Sequence, residues 1–124
     1  MQLSQENPEF RYVLRGVSPG GVLVNEAVIA SSFLVTPEQL VRDWRPRDAA
    51  SLEPADLEPV LALSPALMVL GTGPRQVFPS QAVLAALLTR GIGIEVMDSA
   101  AAARTFNVLA TEGRAVVAGF LVPG

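Results

Sequence analysis

The chain has 124 residues, half of them hydrophobic, and sets twelve carboxylates against nine basic side chains for a formal charge of −3; it has no histidine, cysteine or lysine, so all nine basic residues are arginines. Those absences exclude disulfides, thiolate nucleophiles, iron–sulfur ligation, the usual zinc sites and catalytic triads, Schiff-base chemistry and the lysine contact of a phosphate-binding P-loop. Any catalysis would fall to carboxylates, hydroxyls, arginine or backbone amides; no cofactor and no metal site is expected, although an oxygen-only magnesium site stays compatible with the composition.

The length fits one domain, residues 1–124. An acidic chain with scattered arginines is a poor nucleic-acid binder, because affinity for phosphates comes from clustered basic residues. No apolar run approaches the roughly 18 residues that span a bilayer, so an integral membrane protein is not expected. Met1 to Phe10 carries Glu6 and Glu9 and no basic residue, unlike a secretory or transit segment, and a cytoplasmic location is expected.

In chain order, Phe10 to Val17 alternates imperfectly and predicts a strand, ended by the turn signal Ser18-Pro19-Gly20-Gly21. Val22-Leu23-Val24 then meets Ala27-Val28-Ile29 across Asn25-Glu26, a tight hairpin turn. Ser32 to Thr36 predicts a further extended piece. The cluster Arg42-Asp43-Trp44-Arg45-Pro46-Arg47 is short and interrupted by acid, and reads as a solvated loop. Between Pro37 and Pro65 the prolines leave room only for short helices; Ser51 to Leu63 is expected to hold one, with Leu52, Leu57, Val60, Leu61 and Leu63 facing inward.

From Ala66 the pattern becomes regular. Ala66 to Leu70 is an apolar strand ending at Gly71, and Pro79 to Arg90 has Val83, Leu84, Leu87 and Leu88 at helical spacing before Gly91. Ile92 to Met97 predicts a second strand, Asp98 or Ser99 an N-cap, and Ala100 to Glu112 a helix ended by Gly113. Arg114 to Val122 is almost continuously apolar, the signature of a strand covered on both faces. This β-α-β-α-β succession after a hairpin-rich start predicts an α/β fold: a three-layer domain with a mixed sheet, parallel in its C-terminal part.

Gly71-Thr72-Gly73 after a strand, then Phe78-Pro79, Gly91-Ile92, Glu95-Val96-Met97-Asp98-Ser99, Ala102, Arg104-Thr105-Phe106-Asn107-Val108-Leu109 and Glu112-Gly113-Arg114 together resemble the family of mitochondrial respiratory complex I assembly factor 3, which has many bacterial and archaeal relatives. The N-terminal half, with Gly20-Gly21 before a hairpin and Trp44 after it, resembles it more loosely, so the match covers most of the chain. The family usually has threonine where this chain has Ser99 and tyrosine where it has Phe106, both conservative differences. The resemblance implies a three-layer α/β domain and an assembly or protein-interaction role, with no catalytic residues to carry over; the start of the chain, unlike a transit segment, makes a bacterial member the expectation.

Three places are candidates for contact with a ligand or partner. The loop from Gly71 to Pro79, with Gly71, Gly73 and Arg75, lies between a strand and a helix, where helix N-termini hold anions. It lacks the third glycine of a dinucleotide fingerprint, and Pro74 removes a donor, so it is open to two readings: Arg75 gripping a carboxylate or phosphate, or a plain turn with an exposed arginine. The second place is the last helix, where Asp98, Thr105 and Glu112 recur at seven-residue intervals; here Asp98 is expected to cap the helix. Asn107, a mediocre helix former, is expected to hold a structural hydrogen bond rather than a ligand. The third is Trp44, either an anchor for a partner or a plug at the edge of the core.

The function expected from these features is a noncatalytic interaction or assembly-factor module with a protein partner, homo-oligomerisation being compatible with it. The alternative is a small-ligand or anion-binding protein, or a minimal enzyme, using the edge where Gly71 to Pro79 and Asp98 meet if the first two strands of the C-terminal unit are parallel.

Overall fold

Tight turns organise the first third of the chain. In the computed structural model, which describes residues 11–124, β1 (Leu14–Ser18), β2 (Gly21–Val24) and β3 (Ala27–Ile29) form an antiparallel sheet in sequence order. Ser18 pairs with Gly21 across Pro19-Gly20, and Val24 pairs with Ala27 across Asn25-Glu26. Asn25 sits at φ 53°, which its short polar side chain tolerates. That side chain also extends the pairing, accepting from the Val13 N–H at 2.9 Å and donating to the Arg11 carbonyl at 3.0 Å. The strand expected from Phe10 starts at Leu14, and Phe10 itself lies outside the described residues.

The main sheet contains β4 (Phe33–Val35), β5 (Leu40–Val41), β6 (Leu67–Gly71), β7 (Gly93–Met97) and β8 (Val116–Phe120), in the order β5-β4-β8-β6-β7. β6 pairs in parallel with both β7 and β8, while β4 pairs antiparallel with β5 and β8. The sheet is therefore mixed, with its parallel part built from the regular C-terminal unit. All five residues of β8 are buried, as a central strand covered on both faces must be. It is shorter than Arg114 to Val122 because Arg114 and Ala115 lie exposed before it.

Side chains alternate across the main sheet and create two cores. On one face Phe33, Val35, Val69, Ala118 and Phe120 pack against the small sheet and α3 (Ser99–Thr111). On the other, Leu34, Met68, Leu70 and Val117 pack against α2 (Gln81–Leu88), Trp44 and the proline-rich middle segment. This is the three-layer α/β arrangement expected. Phe33 and Phe120, side by side on β4 and β8, stack with ring centroids 5.2 Å apart.

The middle segment departs from the single helix expected over Ser51 to Leu63. It forms 3-10 turns at Ala49–Ser51 and Pro54–Leu57, followed by the four-residue α1 (Glu58–Leu61). Two acidic side chains favour the local turns: Asp48 accepts from the Ser51 N–H at 2.8 Å, and Asp56 from the Glu53 N–H at 2.8 Å. Pro54 and Pro59 stand where helix starts tolerate them, at the heads of two short pieces instead of within one long one. The inward face survives the change: Leu52, Leu57 and Val60 are buried, and Leu61 and Leu63 pack half-buried against the same core.

In α2, capped by Ser80, Val83 and Leu87 are buried as expected, whereas Leu88 is 60% exposed on the far side. α3 begins after Asp98 and ends before Gly113, which has φ 74°.

Candidate functional site

Parallel pairing places the ends of β6 and β7 side by side, so the loop after Gly71 meets the start of α3. The join is reciprocal: the Ser99 N–H donates to the Gly73 carbonyl at 2.8 Å, and the Gly73 N–H donates to Ser99 Oγ at 2.8 Å. Asp98 caps the helix through a bond accepted from the Ala101 N–H at 2.8 Å. Gly73 and Asp98 are thus brought together, as the sequence anticipates if the two strands are parallel.

Gly71 has a packing role. A Cβ built on it would stand 2.9 Å from Phe120 Cδ1, 3.0 Å from Ser99 Oγ and 3.1 Å from Ala102 Cβ, so a hydrogen there lets α3 lie close on the sheet. Gly73 is left-handed, at φ 90°, and turns the chain against Pro123 and Gly124.

Arg75 is exposed and does not reach this meeting point; its backbone carbonyl accepts from Thr72 Oγ1 at 2.5 Å while its guanidinium makes no ion pair among the described residues. The buried Thr72 organises the loop, because the same hydroxyl accepts from the Val77 N–H at 3.0 Å. Gln76 reaches across to the β7 edge and donates to the Val96 carbonyl at 2.9 Å.

Asn107 lies on the opposite part of α3 and holds β1. It accepts from the Leu14 N–H at 3.0 Å and donates to the Leu14 carbonyl at 2.7 Å, the structural role expected. Thr105 bonds the Met97 sulfur at 3.4 Å, and Glu112 is an exposed C-cap residue near Arg114 at 3.8 Å; the seven-residue series with Asp98 does not converge on one point.

Trp44 is buried, and its ring N–H donates to the Asp56 carbonyl at 2.9 Å, so it plugs a core. The basic cluster around it is only partly a solvated loop. Arg42 and Arg47 are exposed, but Arg45 forks onto buried Asp56, Nε to Oδ1 at 2.7 Å and Nη2 to Oδ2 at 2.6 Å. The Arg45 guanidinium, through those bonds, holds the Asp56 carboxyl below its ordinary value despite burial, and Asp56 in turn raises Arg45. Nothing in the spacing of residues 45 and 56 announces this pair; the turn between them decides it.

Around Gly73 and Asp98 lies a hollow of about 490 Å³, walled by the β1–β2 turn, Gly73-Pro74, Asp98 to Ala100 and the segment after β8. Its surface is largely apolar, from Val17, Pro19, Val22, Pro74, Leu121 and Pro123, and among the described residues Asp98 has the one charged side chain lining it. Gly71 and Arg75 do not line it. Of the two N-cap candidates Asp98 takes the role, and Ser99, buried beside it, instead joins α3 to Gly73; Thr72 is the polar group missed by sequence reasoning, although it sits inside the segments that carry the family resemblance. A second hollow, of about 530 Å³ on the far side of Pro19 and Val122-Pro123, is lined by Asp43, Arg45 and Arg47, charges of both signs. Among the described residues no helix is long and apolar enough to cross a membrane, and no group of three or more acidic side chains is placed to hold a metal.

The chain is 29% identical over 125 residues to NADH dehydrogenase (ubiquinone) 1 alpha subcomplex assembly factor 3 of Danio rerio, a match covering 99% of this chain and 71% of that protein. Among solved structures it resembles a Xanthomonas campestris protein determined by NMR, with a TM-score of 0.85 and 51% identity over 100% of this chain and 94% of that one. A Bordetella pertussis protein described as a Mth938-like domain superposes with a TM-score of 0.81 at 26% identity, again over 100% and 94% of the two chains. The similarity thus runs through the N-terminal half as well, where the resemblance read from the sequence is looser. With a family model described as a protein of unknown function (DUF498/DUF598) matching residues 14–121, the chain belongs to that family.

Proposed function

We propose that this protein is a noncatalytic interaction module of the assembly-factor kind, acting during assembly of a respiratory or membrane complex and presenting the hollow beside Asp98 to a protein partner. The observation that carries this reading is the similarity to assembly factor 3 along almost the whole chain. The hollow supports it: the carboxylate is a helix cap, the hydroxyl of Ser99 is engaged by Gly73, and the walls are apolar, a surface suited to contact rather than to proton or group transfer. Crosslinking of the native protein in cells, followed by mass spectrometry, tests it. Ala100→Arg, at an exposed position on the rim, should leave the fold intact and lose the partner; a variant that captures the same partner through the same crosslinks would take the hollow out of the reading.

A second reading rests on the position and size of the same hollow. It lies at the carboxyl ends of parallel strands and falls within the roughly 300–1,000 Å³ of small-ligand sites. Its anionic version is weaker, since Arg75 stands outside and the carboxylate of Asp98 occupies the start of α3. A metabolite that copurifies in stoichiometric amount would favour this second reading.

A further inference from the structure

The hollow beside Asp98 offers one kind of recognition and withholds another. An extended peptide docks on a sheet edge by hydrogen bonding to free backbone groups, but the backbone here is already engaged. Gly73 gives its N–H to Ser99 Oγ and its carbonyl to the Ser99 N–H, the Leu121 N–H bonds the Gly71 carbonyl at 3.0 Å, and the Val122 N–H bonds Ser32 Oγ at 2.9 Å. What remains is largely apolar wall, the Ser18 side chain, the Ala100 N–H at the start of α3 and one carboxylate. Asp98 accepts a single hydrogen bond from the described residues, whereas a carboxylate has capacity for about four. Its position is also fixed in advance by the cap, so a second partner would not have to order it. An anionic group would have to lie against that carboxylate with no basic side chain among the described lining residues to offset it. A long basic side chain matches the hollow in both respects, its aliphatic stem against Val17, Pro19 and Leu121 and its charged head at Asp98.

We infer that the hollow receives a lysine or arginine flanked by apolar residues, presented by the protein partner. This rests on the partner-binding reading above and names the chemistry that the partner carries.

The probes are three end-blocked pentapeptides, Val-Leu-Lys-Leu-Val and its glutamine- and glutamate-centred counterparts, together with hexylamine, titrated into isotope-labelled protein at low salt and followed by NMR. The lysine peptide should shift the amides of residues 17–22, 73 and 98–100 saturably and bind about two- to fivefold more tightly than the glutamine peptide, the preference an exposed ion pair supports. Added salt should erase that preference. So should Asp98→Asn, which removes the charge while asparagine keeps the cap. The inference is overturned if no peptide binds up to millimolar concentration, if the glutamate peptide binds as well as the lysine peptide, or if Asp98→Asn leaves the lysine preference intact. Hexylamine binding as tightly as the peptide would overturn it in favour of a small-ligand site. The same amides shifting with protein concentration alone would overturn it in favour of a second copy. Partner capture crosslinked to another face would also sink this inference while leaving the interaction role standing; loss of all partner capture with lysine-selective binding retained would instead count against the role.

Discussion

Asn107 treats Leu14 as a neighbouring strand would, accepting from its N–H at 3.0 Å and donating to its carbonyl at 2.7 Å across 93 residues of chain. Leu14 pairs with Val24 of β2 on one side, and since β1 is an edge strand of the small sheet, a helix side chain supplies the pairing on the other. Asn107→Ala should destabilise the fold by about 1–3 kcal/mol, because both Leu14 groups lose their partner in a half-buried place. Chemical denaturation reads the change, and an unmoved midpoint would show the amide to be dispensable.

Gly119 on β8 lies under the ring of Trp44. A Cβ there would stand 2.8 Å from Trp44 Cζ3 and 2.9 Å from Met68 Cε, two side chains packed in the same core. Gly119→Ala is expected to cost about 1–3 kcal/mol through overpacking, and to blue- or red-shift the tryptophan emission as the ring moves. Wild-type stability with unchanged emission would contradict this packing.

The acid branch of stability should depend on Asp56 and Asp48. Arg45 bonded to the carboxylate of Asp56, and the Ser51 N–H bonded to that of Asp48, lower both groups from an ordinary 3.8. A carboxyl depressed by folding contributes stability that is fully present above its unfolded value and is lost as pH falls through its folded value. Thermal midpoints should therefore hold above about pH 5 and fall below about pH 4. Asp56→Asn should flatten that fall while lowering stability at neutral pH. An acid branch of wild-type steepness in the variant would assign it to other carboxylates.

Arg75 is expected to matter little to folding. An exposed arginine with no ion pair among the described residues should change stability by no more than about 0.5 kcal/mol on replacement by alanine. In a thermal-shift screen of phosphate, carboxylates and nucleotides, no Arg75-dependent stabilisation is expected. A saturable shift with one of these anions, lost in Arg75→Ala, would restore the anion-binding reading of the loop.

Much of the architecture was legible in the sequence because the relevant forces are local. The two-residue turn at Asn25-Glu26, the apolar periodicity of Val83 and Leu87, the cap at Asp98 and the uninterrupted apolar run of β8 each report their element through neighbouring residues alone. The family was legible as well, since its segments from Gly71 to Arg114 follow one another in order. The broken middle segment was less so: its prolines limited helix length, but the 3-10 turns depend on side chains of Asp48 and Asp56 bonding nearby amides.

Tertiary structure alone decided the strand order β5-β4-β8-β6-β7 and, with it, which candidate residues meet. Gly73 and Asp98 share one hollow, Asn107 serves β1 on another part of α3, and Arg75 is exposed outside the lining of the hollow. Likewise Arg45 finds Asp56 only because the chain turns back between them. These are non-local contacts, set by which faces pack together once the sheet has formed. A linear pattern of apolar and polar residues states which side chains are buried, but not which distant groups they are buried against.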